Sequence, residues 1–385
     1  MKNKIKLSGN AVVITVIVFS AILLFTGCSE TQKNDNGSGN GDGGSGTTFT
    51  SIDAFNTWLS KQPENSPNNP YRVKLNIKKN YLEGINIGVQ GNNGKYIYLD
   101  LSGSSITSIG ETTFNNWYYP AQDILVGIIL PDSVTNIGKG TFGACRGLTS
   151  ITIPNSVKNI GEDAFIWCSS LTSVAIGNGV TRIEKKAFYS CNSLSSLTIG
   201  NSVTSIGEEA FLGCESLTSV TIPNSVKSIE EGAFSSCSSL NSVIIGNGVT
   251  SIEHAAFWSC NSLSSLTIPS SVRSLSGFND CTGLTNVIIE NGVTNIEEEA
   301  FEGCSSLTNV VIPISVQSIG NSAFANSNVN NIGIISVTFQ GTIPESGFED
   351  NSFVGDLVEI YLAEDGGIGT YTRPDTYSNE WTKQN

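Results

Sequence analysis

Eight cysteines recur in the pattern Phe-x-x-Cys, and a thiol has the widest choice of chemistry of any side chain here. The pairs are Phe142/Cys145, Phe165/Cys168, Phe188/Cys191, Phe211/Cys214, Phe234/Cys237, Phe257/Cys260, Phe278/Cys281 and Phe301/Cys304. Successive phenylalanines are 23 residues apart, except for a step of 21 into Phe278. Regularly spaced cysteines can form disulfides, hold zinc or pack as small hydrophobes.

The spacing favours the last of these three roles. Each cysteine has the same place in its repeat, so the Cβ atoms of neighbouring copies point the same way, whereas a disulfide needs facing Cβ atoms about 3.8 Å apart. Zinc sites need closely paired ligands, and the sequence has no Cys-x-x-Cys pair and only one histidine. We therefore predict a ladder of buried, unpaired thiols, with no metal and no other cofactor.

The single histidine, His254, does not suggest catalysis. It falls at the repeat position that is Glu162, Lys185, Glu208 or Glu231 in other copies, a position that tolerates either charge. A solvated corner of the fold is the best interpretation. Without a second histidine, a Ser-His or Cys-His nucleophile is hard to assemble. We predict no catalytic residues and no enzymatic activity.

The elements that position these residues follow from one repeat. A fixed period in the twenties indicates a supersecondary unit copied many times, each copy burying its apolar face against its neighbours. Residues 217–239 read LTSVTIPNSVKSIEEGAFSSCSS. L-x-x-V-x-I predicts a strand, Pro-Asn a turn, V-x-x-I a second extended stretch, and A-F-x-x-C a closing corner. Nine units begin at Leu125, Leu148, Leu171, Leu194, Leu217, Leu240, Leu263, Leu284 and Leu307.

The repeats also show duplication on a larger scale. Residues Leu148–Ser170 match Leu217–Ser239 at 17 of 23 positions, which indicates growth by copying 69-residue blocks. Growth of that kind suits a spacer or a binding array better than an active site, because an active site needs unique residues.

The unit L-x-x-L-x-I-P-x-S-V-x-x-I-x-x-x-A-F-x-x-C resembles the 23-residue leucine-rich repeat of BspA-like bacterial surface proteins, over about residues 96–327. The resemblance implies a β-rich repeat solenoid with a parallel sheet of stacked coils. It also implies surface exposure and adhesion, since members of that family bind host matrix proteins such as fibronectin and fibrinogen. Animal-type repeats place Asn in the loop ladder, whereas this chain has Ser or Gly. We therefore expect mild curvature and two sheets, or one sheet with short 3₁₀ turns.

The N-terminus has the features of a lipoprotein signal peptide. Lys2, Lys4 and Lys6 precede an apolar run from residue 11 to residue 25, and Thr-Gly then leads into Cys28. This run is shorter than the roughly 20 residues of a membrane span. Small residues directly before a cysteine resemble a lipobox, so Cys28 is the predicted lipid-attachment site. The alternative is an ordinary signal peptide with an incidental cysteine.

The predicted domain organisation has five segments, followed here in chain order. They are a lipoprotein signal peptide at 1–27, a flexible Gly/Ser/Asn linker at 28–48, an N-terminal capping segment at 49–95 with a helix around Ser51–Ser60, the leucine-rich-repeat solenoid at 96–327, and a C-terminal cap at 328–385. The predicted location is the bacterial cell surface or outer membrane, with the chain held by its N-terminal lipid.

Composition excludes one class of partner. The net charge is −14, and loss of the three lysines in the signal peptide would make it −17. Nucleic acids are excluded as partners, because phosphate binding needs clustered Lys and Arg. Only 14% of the residues are charged, so the predicted surface is polar but mostly neutral.

Three surface features are candidates for binding. Acidic residues collect at one corner, where they either provide solubility or form a patch for basic segments or a weakly bound divalent ion. The outward strand positions carry short hydroxyls, which either reflect β-propensity or form a contact face. Aromatic residues after the repeated Phe are candidate anchors. The predicted binding surface comprises Thr149, Thr152, Thr172, Thr198, Thr218, Thr221, Trp167, Tyr189 and Trp258.

The leading hypothesis is a non-enzymatic surface adhesion protein whose solenoid contacts host matrix proteins or other cells. Two alternatives remain open at this point. One is a structural spacer or coat with no dedicated ligand, and the other is a glycan-binding module.

Overall fold

The computed structural model describes residues 46–82, 94–115, 123–325, 333–349 and 351–384. The predicted signal peptide, Cys28 and all but the last three residues of the predicted linker lie outside the described residues. In the part of the chain that is described, no helix is long and apolar enough to cross a membrane.

Two rows of strands run along the molecule, because each repeat has two stretches that alternate apolar and polar residues. The long strands are Thr47–Phe49, Tyr71–Leu75, Ile97–Asp100, Leu125–Ile129, Ser150–Ile153, Ser173–Ile176, Ser196–Thr198, Ser219–Ile222, Ser242–Ile245, Ser265–Ile268, Asn286–Ile289, Asn309–Ile312 and Ser336–Phe339. The short strands are Tyr81–Leu82, Ser108–Ile109, Asn136–Ile137, Asn159–Ile160, Arg182–Ile183, Ser205–Ile206, Ser228–Ile229, Ser251–Ile252, Ser274–Leu275, Asn295–Ile296 and Ser318–Ile319.

Successive copies lie side by side and in register. The short strands form one sheet of eleven strands, in which Ile183 pairs with Ile206 and Ile206 with Ile229, all in parallel. These isoleucines are fully buried. The predicted repeat solenoid of stacked coils is therefore confirmed. Parallel pairing also extends beyond the 23-residue repeats, from Thr47–Phe49 at one end to Ser336–Phe339 at the other.

The row of long strands is interrupted, unlike the row of short strands. It divides into groups of four, three, two, two and two strands, and the last group is extended by the two antiparallel strands of the C-terminal end. Among the described residues, no strand pairing joins Ser196–Thr198 to Ser219–Ile222, or Ser242–Ile245 to Ser265–Ile268. The two rows are the two predicted sheets, and the continuous one is made of the shorter strands. The mild curvature stays a prediction.

A stack of eleven phenylalanine rings runs through the core. Neighbouring ring centroids are 4.9–5.8 Å apart and the ring planes are within 13° of parallel, within the range of distances seen for stacked aromatic pairs. The stack contains the eight predicted rings and adds Phe114, Phe324 and Phe353 at its ends. All eleven rings are buried.

The eight repeat cysteines are free thiols and all are buried, as predicted. Each also makes a contact that the sequence does not reveal. The Sγ of Cys168 donates to the main-chain oxygen of Phe142 in the preceding coil at 3.1 Å, and the other seven thiols repeat this contact at 3.0–3.5 Å. The thiol therefore acts as a hydrogen-bond donor between coils as well as a small hydrophobe.

An asparagine ladder joins the turns that follow the long strands. The Oδ1 of Asn155 accepts from the main-chain N–H of Asn178 at 2.7 Å, and Asn178 accepts in the same way from Asn201 at 2.8 Å. The pair Asn224 and Asn247 repeats it at 2.9 Å. This ladder was not predicted, because the comparison with animal-type repeats concerned the next position of the turn, which holds Ser or Gly.

The turns are packed so closely that those at Gly179 and Gly248 need glycine. A Cβ on Gly248 would lie 1.7 Å from the main-chain oxygen of Asn224, although Ser202 has the equivalent position elsewhere. We expect Gly248→Ala to lower the free energy of unfolding by about 1–3 kcal/mol, the usual cost of overpacking. Urea denaturation measures this loss, and Ser202→Ala is the matched control with little expected effect. Equal losses in the two variants would contradict the prediction.

Different elements close the two ends. At the N-terminal end the helix Ile52–Ser60, which was predicted, buries Phe55 and Leu59, and the Ser51 side chain caps it by accepting from the N–H of Ala54. At the C-terminal end lie the 3₁₀ helix Glu345–Gly347, the helix Leu357–Leu362, and the antiparallel strands Gly369–Thr372 and Thr382–Lys383. The boundaries of the five predicted segments stay predictions.

Candidate functional site: the strand face and the coil corners

The outward positions of the long strands form a surface that we call the strand face. Strand pairing places Thr152 beside Ala175 and Ala175 beside Thr198, and Thr221 beside Ile244. The central column of this face is Ile129, Thr152, Ala175, Thr198, Thr221, Ile244, Thr267, Ile288 and Val311, and all nine residues are exposed. The column carries no charge over its whole length.

All six predicted threonines are exposed on this side of the molecule, but they do not all have the same role. The hydroxyls of Thr149 and Thr172 donate to the main-chain oxygens of Val126 and Thr149, at 3.2 and 3.0 Å. These two side chains therefore help to hold neighbouring coils together. Thr218 has the same repeat position as Thr149 and Thr172, directly after the first leucine of its coil. Thr152, Thr198 and Thr221 lie in the central column.

The C-terminal half of the strand face is aliphatic, which the sequence analysis missed. Ile244 is 55% exposed, Ile288 52% and Val311 44%, and Ile314 in the following turn is 63% exposed. Ile244, Ile288 and Val311 have the outward position that is Thr in three earlier coils. Aligning the repeats would have revealed them. The strand face thus has a zone up to Thr221 in which Thr predominates, and a mainly aliphatic zone from Ile244 to Ile314 that Thr267 interrupts.

The three predicted aromatic anchors lie at the corners of their coils, in different settings. Trp167 is 44% exposed and Trp258 39%, while Tyr189 is half-buried with the Lys186 ammonium 5.7 Å from its ring centre. The indole N–H of Trp258 donates to the Asp280 carboxylate at 2.9 Å. These side chains are not part of the strand face, so the predicted set of site residues forms two surfaces.

Two concavities accompany these surfaces. A pocket of about 300 Å³ at the corner of Trp167 is lined by Arg146, Trp167, Ser169, Ser190 and Asn192. A larger cleft of about 610 Å³ lies where the C-terminal elements meet the last coils, and Glu302, Glu345, Glu349 and Glu359 are among its lining residues.

The acidic corner differs between the two halves of the solenoid. In the N-terminal half, lysines of one coil pair with acids of the next, as in Lys139–Glu162 at 2.9 Å and Lys186–Glu209 at 3.4 Å. From Glu230 onward, the described residues include no such pair at this corner. Burial raises the pKa of the Glu253 carboxyl above its ordinary value, and the nearby charge of Glu230 adds to this rise. The described acids of this corner therefore have no lysine partners from Glu230 onward, but they do not form a continuous stripe, because Ser276 and Gly277 have the corner positions in the coil between Glu253 and Glu297.

His254 is exposed at this corner, where the sequence analysis expected it. Within the described ranges, no three His, Cys, Asp or Glu side chains are grouped so that they could hold a metal ion.

The repeat pattern identifies the family. The model of the BspA type leucine rich repeat region matches residues 107–241, 158–277, 204–330 and 274–358. Together these matches cover well over half of the sequence, so the chain belongs to this family. Proteins of the family are surface and binding proteins, and their repeat solenoids are typically non-catalytic. No curated protein matches the sequence.

Solved structures of bacterial leucine-rich repeat proteins are similar to this chain. One from Bacteroides ovatus is 26% identical, with a TM-score of 0.41, and the match covers 61% of this chain and 77% of that one. A leucine rich cell surface protein from Faecalibacterium prausnitzii is 27% identical, with a TM-score of 0.40 and coverage of 70% and 79%. A leucine rich repeat protein from T. pallidum is 27% identical, with a TM-score of 0.36 and coverage of 47% and 78%.

Proposed function

We propose that this protein is a non-enzymatic adhesin, which contacts proteins of a host matrix or of another cell through its strand face. The observation that carries the proposal is the aliphatic zone. Soluble proteins seldom expose contiguous apolar patches, and those that do usually bind something there. Four aliphatic side chains, each exposed by more than two fifths, lie within four successive coils, with Thr267 as the one polar member of the column there, and they follow an uncharged zone in which Thr predominates.

The chemistry of this face suits a protein partner. Interface centres are depleted in charged residues and combine apolar contact with hydrogen bonding at the rim. The central column is uncharged, and Thr152, Thr198 and Thr221 can donate and accept hydrogen bonds beside Ile244 and Ile288. A structural spacer would have no use for the aliphatic zone, because exposed aliphatic surface promotes association of the protein with itself.

The proposed location is the cell surface, with acyl chains on Cys28 anchoring the N-terminus. Each buried methylene would contribute about 0.8 kcal/mol to membrane binding. The solenoid would then be displayed beyond a flexible linker. The surface location of the similar protein from Faecalibacterium prausnitzii agrees with this arrangement.

Charge substitutions on the strand face test the adhesion proposal. We expect Thr221→Lys and Ile288→Lys each to weaken binding of the detergent-purified full chain to immobilised matrix proteins at least about tenfold, because a lysine in an apolar contact must lose its hydration. The measurement is saturation binding to fibronectin, fibrinogen and a host-tissue extract.

Thr250→Lys is the matched control. It adds the same charge to an exposed residue in the row of short strands, where Lys227 and Arg273 have the equivalent positions in the neighbouring coils. Binding that falls equally in all three variants would implicate net charge and not the strand face. Absence of saturable binding by the unmodified protein would favour the spacer.

A further inference from the structure

We propose that the Trp167 corner is a glycan-binding site, which takes one or two neutral pyranose units of a surface polysaccharide or glycoprotein. The site lies away from the strand face and does not depend on the function proposed for that face. It is built from three successive coils: Arg146 comes from the first, Trp167 and Ser169 from the second, and Ser190 and Asn192 from the third.

Trp167 has a backbone conformation that is unusual for a bulky residue. Its φ is +59°, and the equivalent residue of every other described coil from Ala144 to Gly303 also has positive φ. Those residues are all small: Ala144, Ser190, Gly213, Ser236, Ser259, Asp280 and Gly303. A left-handed conformation costs an L-residue roughly 1–2 kcal/mol, and for a bulky residue it is an outlier. A large aromatic placed there and left 44% exposed therefore indicates a role outside the fold.

Hydrogen bonds to neighbouring coils hold the main chain of Trp167 in place. The N–H of Trp167 donates to the main-chain oxygen of Tyr189 at 2.8 Å, and the N–H of Ala144 donates to that of Ile166 at 2.7 Å. The main chain on both sides of the indole is thus bonded to neighbouring coils. A ring on a fixed backbone loses little conformational entropy when a ligand binds, which favours affinity.

The lining of the pocket determines the class of ligand. An indole face carries negative potential and attracts the weakly positive C–H groups of a pyranose ring. Ser169, Ser190 and Asn192 add hydroxyl and amide groups, which can donate to and accept from sugar hydroxyls. The pocket volume of about 300 Å³ is at the lower limit for small-molecule sites. A short saccharide therefore fits better than a peptide, which needs a sheet edge or a long groove.

The charges around the pocket favour a neutral sugar over an acidic one. Arg146 is the one cationic residue among the described lining residues. Burial raises the pKa of the Asp123 carboxyl, and the nearby positive charge of Arg146 offsets part of this rise. The positive charge of Arg146 therefore acts on the Asp123 carboxyl as well as on the pocket, which weakens its attraction for an acidic sugar.

Trp167→Ser tests the proposal, because serine has the equivalent position in three other coils and should preserve the fold. The full chain in detergent is titrated with neutral pyranose methyl glycosides and short oligosaccharides, and isothermal titration calorimetry measures binding, because this readout does not depend on the tryptophan that the variant removes. We expect saturable binding that weakens at least about tenfold in Trp167→Ser, the loss expected for an aromatic anchor. Trp258→Ser is the control: Trp258 is similarly exposed but does not line the pocket, and its loss should leave binding unchanged.

Three results would overturn the proposal: no saturable binding of any saccharide, equal loss in the two tryptophan variants, or Trp167-dependent binding of a protein without glycans. Tighter binding of acidic than of neutral sugars would overturn the assignment of the ligand class. Matrix-protein binding of the strand-face variants is a separate readout, so failure of the glycan site and failure of the adhesion proposal can be told apart.

Discussion

The solenoid should lose stability steeply when the pH is raised from about 8 to about 10, because eight buried thiols can ionise freely only after unfolding. Burial raises the pKa of Cys168, Cys237 and Cys281 to about 12. It raises the pKa of the other five thiols well above the ordinary value as well. The physical cause is the absence of water around the thiolate that would form.

The direction of the effect follows from proton binding. An unfolded cysteine has a pKa near 8.5, so between about pH 8.5 and pH 12 the folded chain binds more protons than the unfolded chain. Stability is then complete below about pH 8.5 and falls as the pH rises. Each thiol contributes up to about 1.4 kcal/mol per pH unit, and eight contribute about 11 kcal/mol per unit. That slope is comparable to the whole free energy of unfolding of a typical domain.

Urea denaturation under reducing conditions, at a series of pH values, measures this slope. The double variant Cys191→Ala/Cys214→Ala leaves six of the eight repeat thiols, so we expect its slope to be about a quarter smaller. The ultraviolet absorbance of thiolate should appear together with unfolding and not before it. Unchanged stability between about pH 8 and pH 10, or thiolate in the folded protein, would contradict the burial of these side chains.

Phe211→Ala should lower the free energy of unfolding by about 3–5 kcal/mol, the usual cost of emptying an aromatic site in a core. The Phe211 ring is fully buried and stacks at 5.1 Å on both Phe188 and Phe234. The variant therefore leaves a cavity and removes two ring contacts. Chemical denaturation at neutral pH, where the thiols of both states are mostly protonated, isolates this loss.

His254→Ala is the control for this experiment. The imidazole is exposed at the corner of its coil, and substitutions at such sites usually change stability by less than about 0.5 kcal/mol. Similar losses in the two variants would mean that the assignment of inward and outward positions is wrong.

The features that the sequence predicted are those that depend on its period. A constant 23-residue step places Phe188 beside Phe211 and Cys191 beside Cys214, whatever the details of the turns. The stacking, the burial and the unpaired thiols follow from that placement. The helix near the N-terminus was also predictable, because Ser51 is a good N-cap before an apolar pattern.

The features that it did not predict depend on the offset between neighbouring coils. The bond from Cys168 Sγ to the oxygen of Phe142 spans 26 residues, and no repeat pattern indicates that distance. The repeat pattern does not indicate the interruption of the long-strand row either. The aliphatic zone is a different case: Ile288 has the same repeat position as Thr152, so an alignment of the repeats would have placed it on the exposed side.

Ring, thiol and main-chain contacts in the repeat region join each coil to the one before or after it. An in-frame loss or gain of a 69-residue block would bring together coil surfaces that already match, since Leu148–Ser170 and Leu217–Ser239 share most of their residues. Unequal recombination between such copies can therefore lengthen or shorten the molecule by three coils at a time. The length of the solenoid can then change while the elements that close its two ends stay the same.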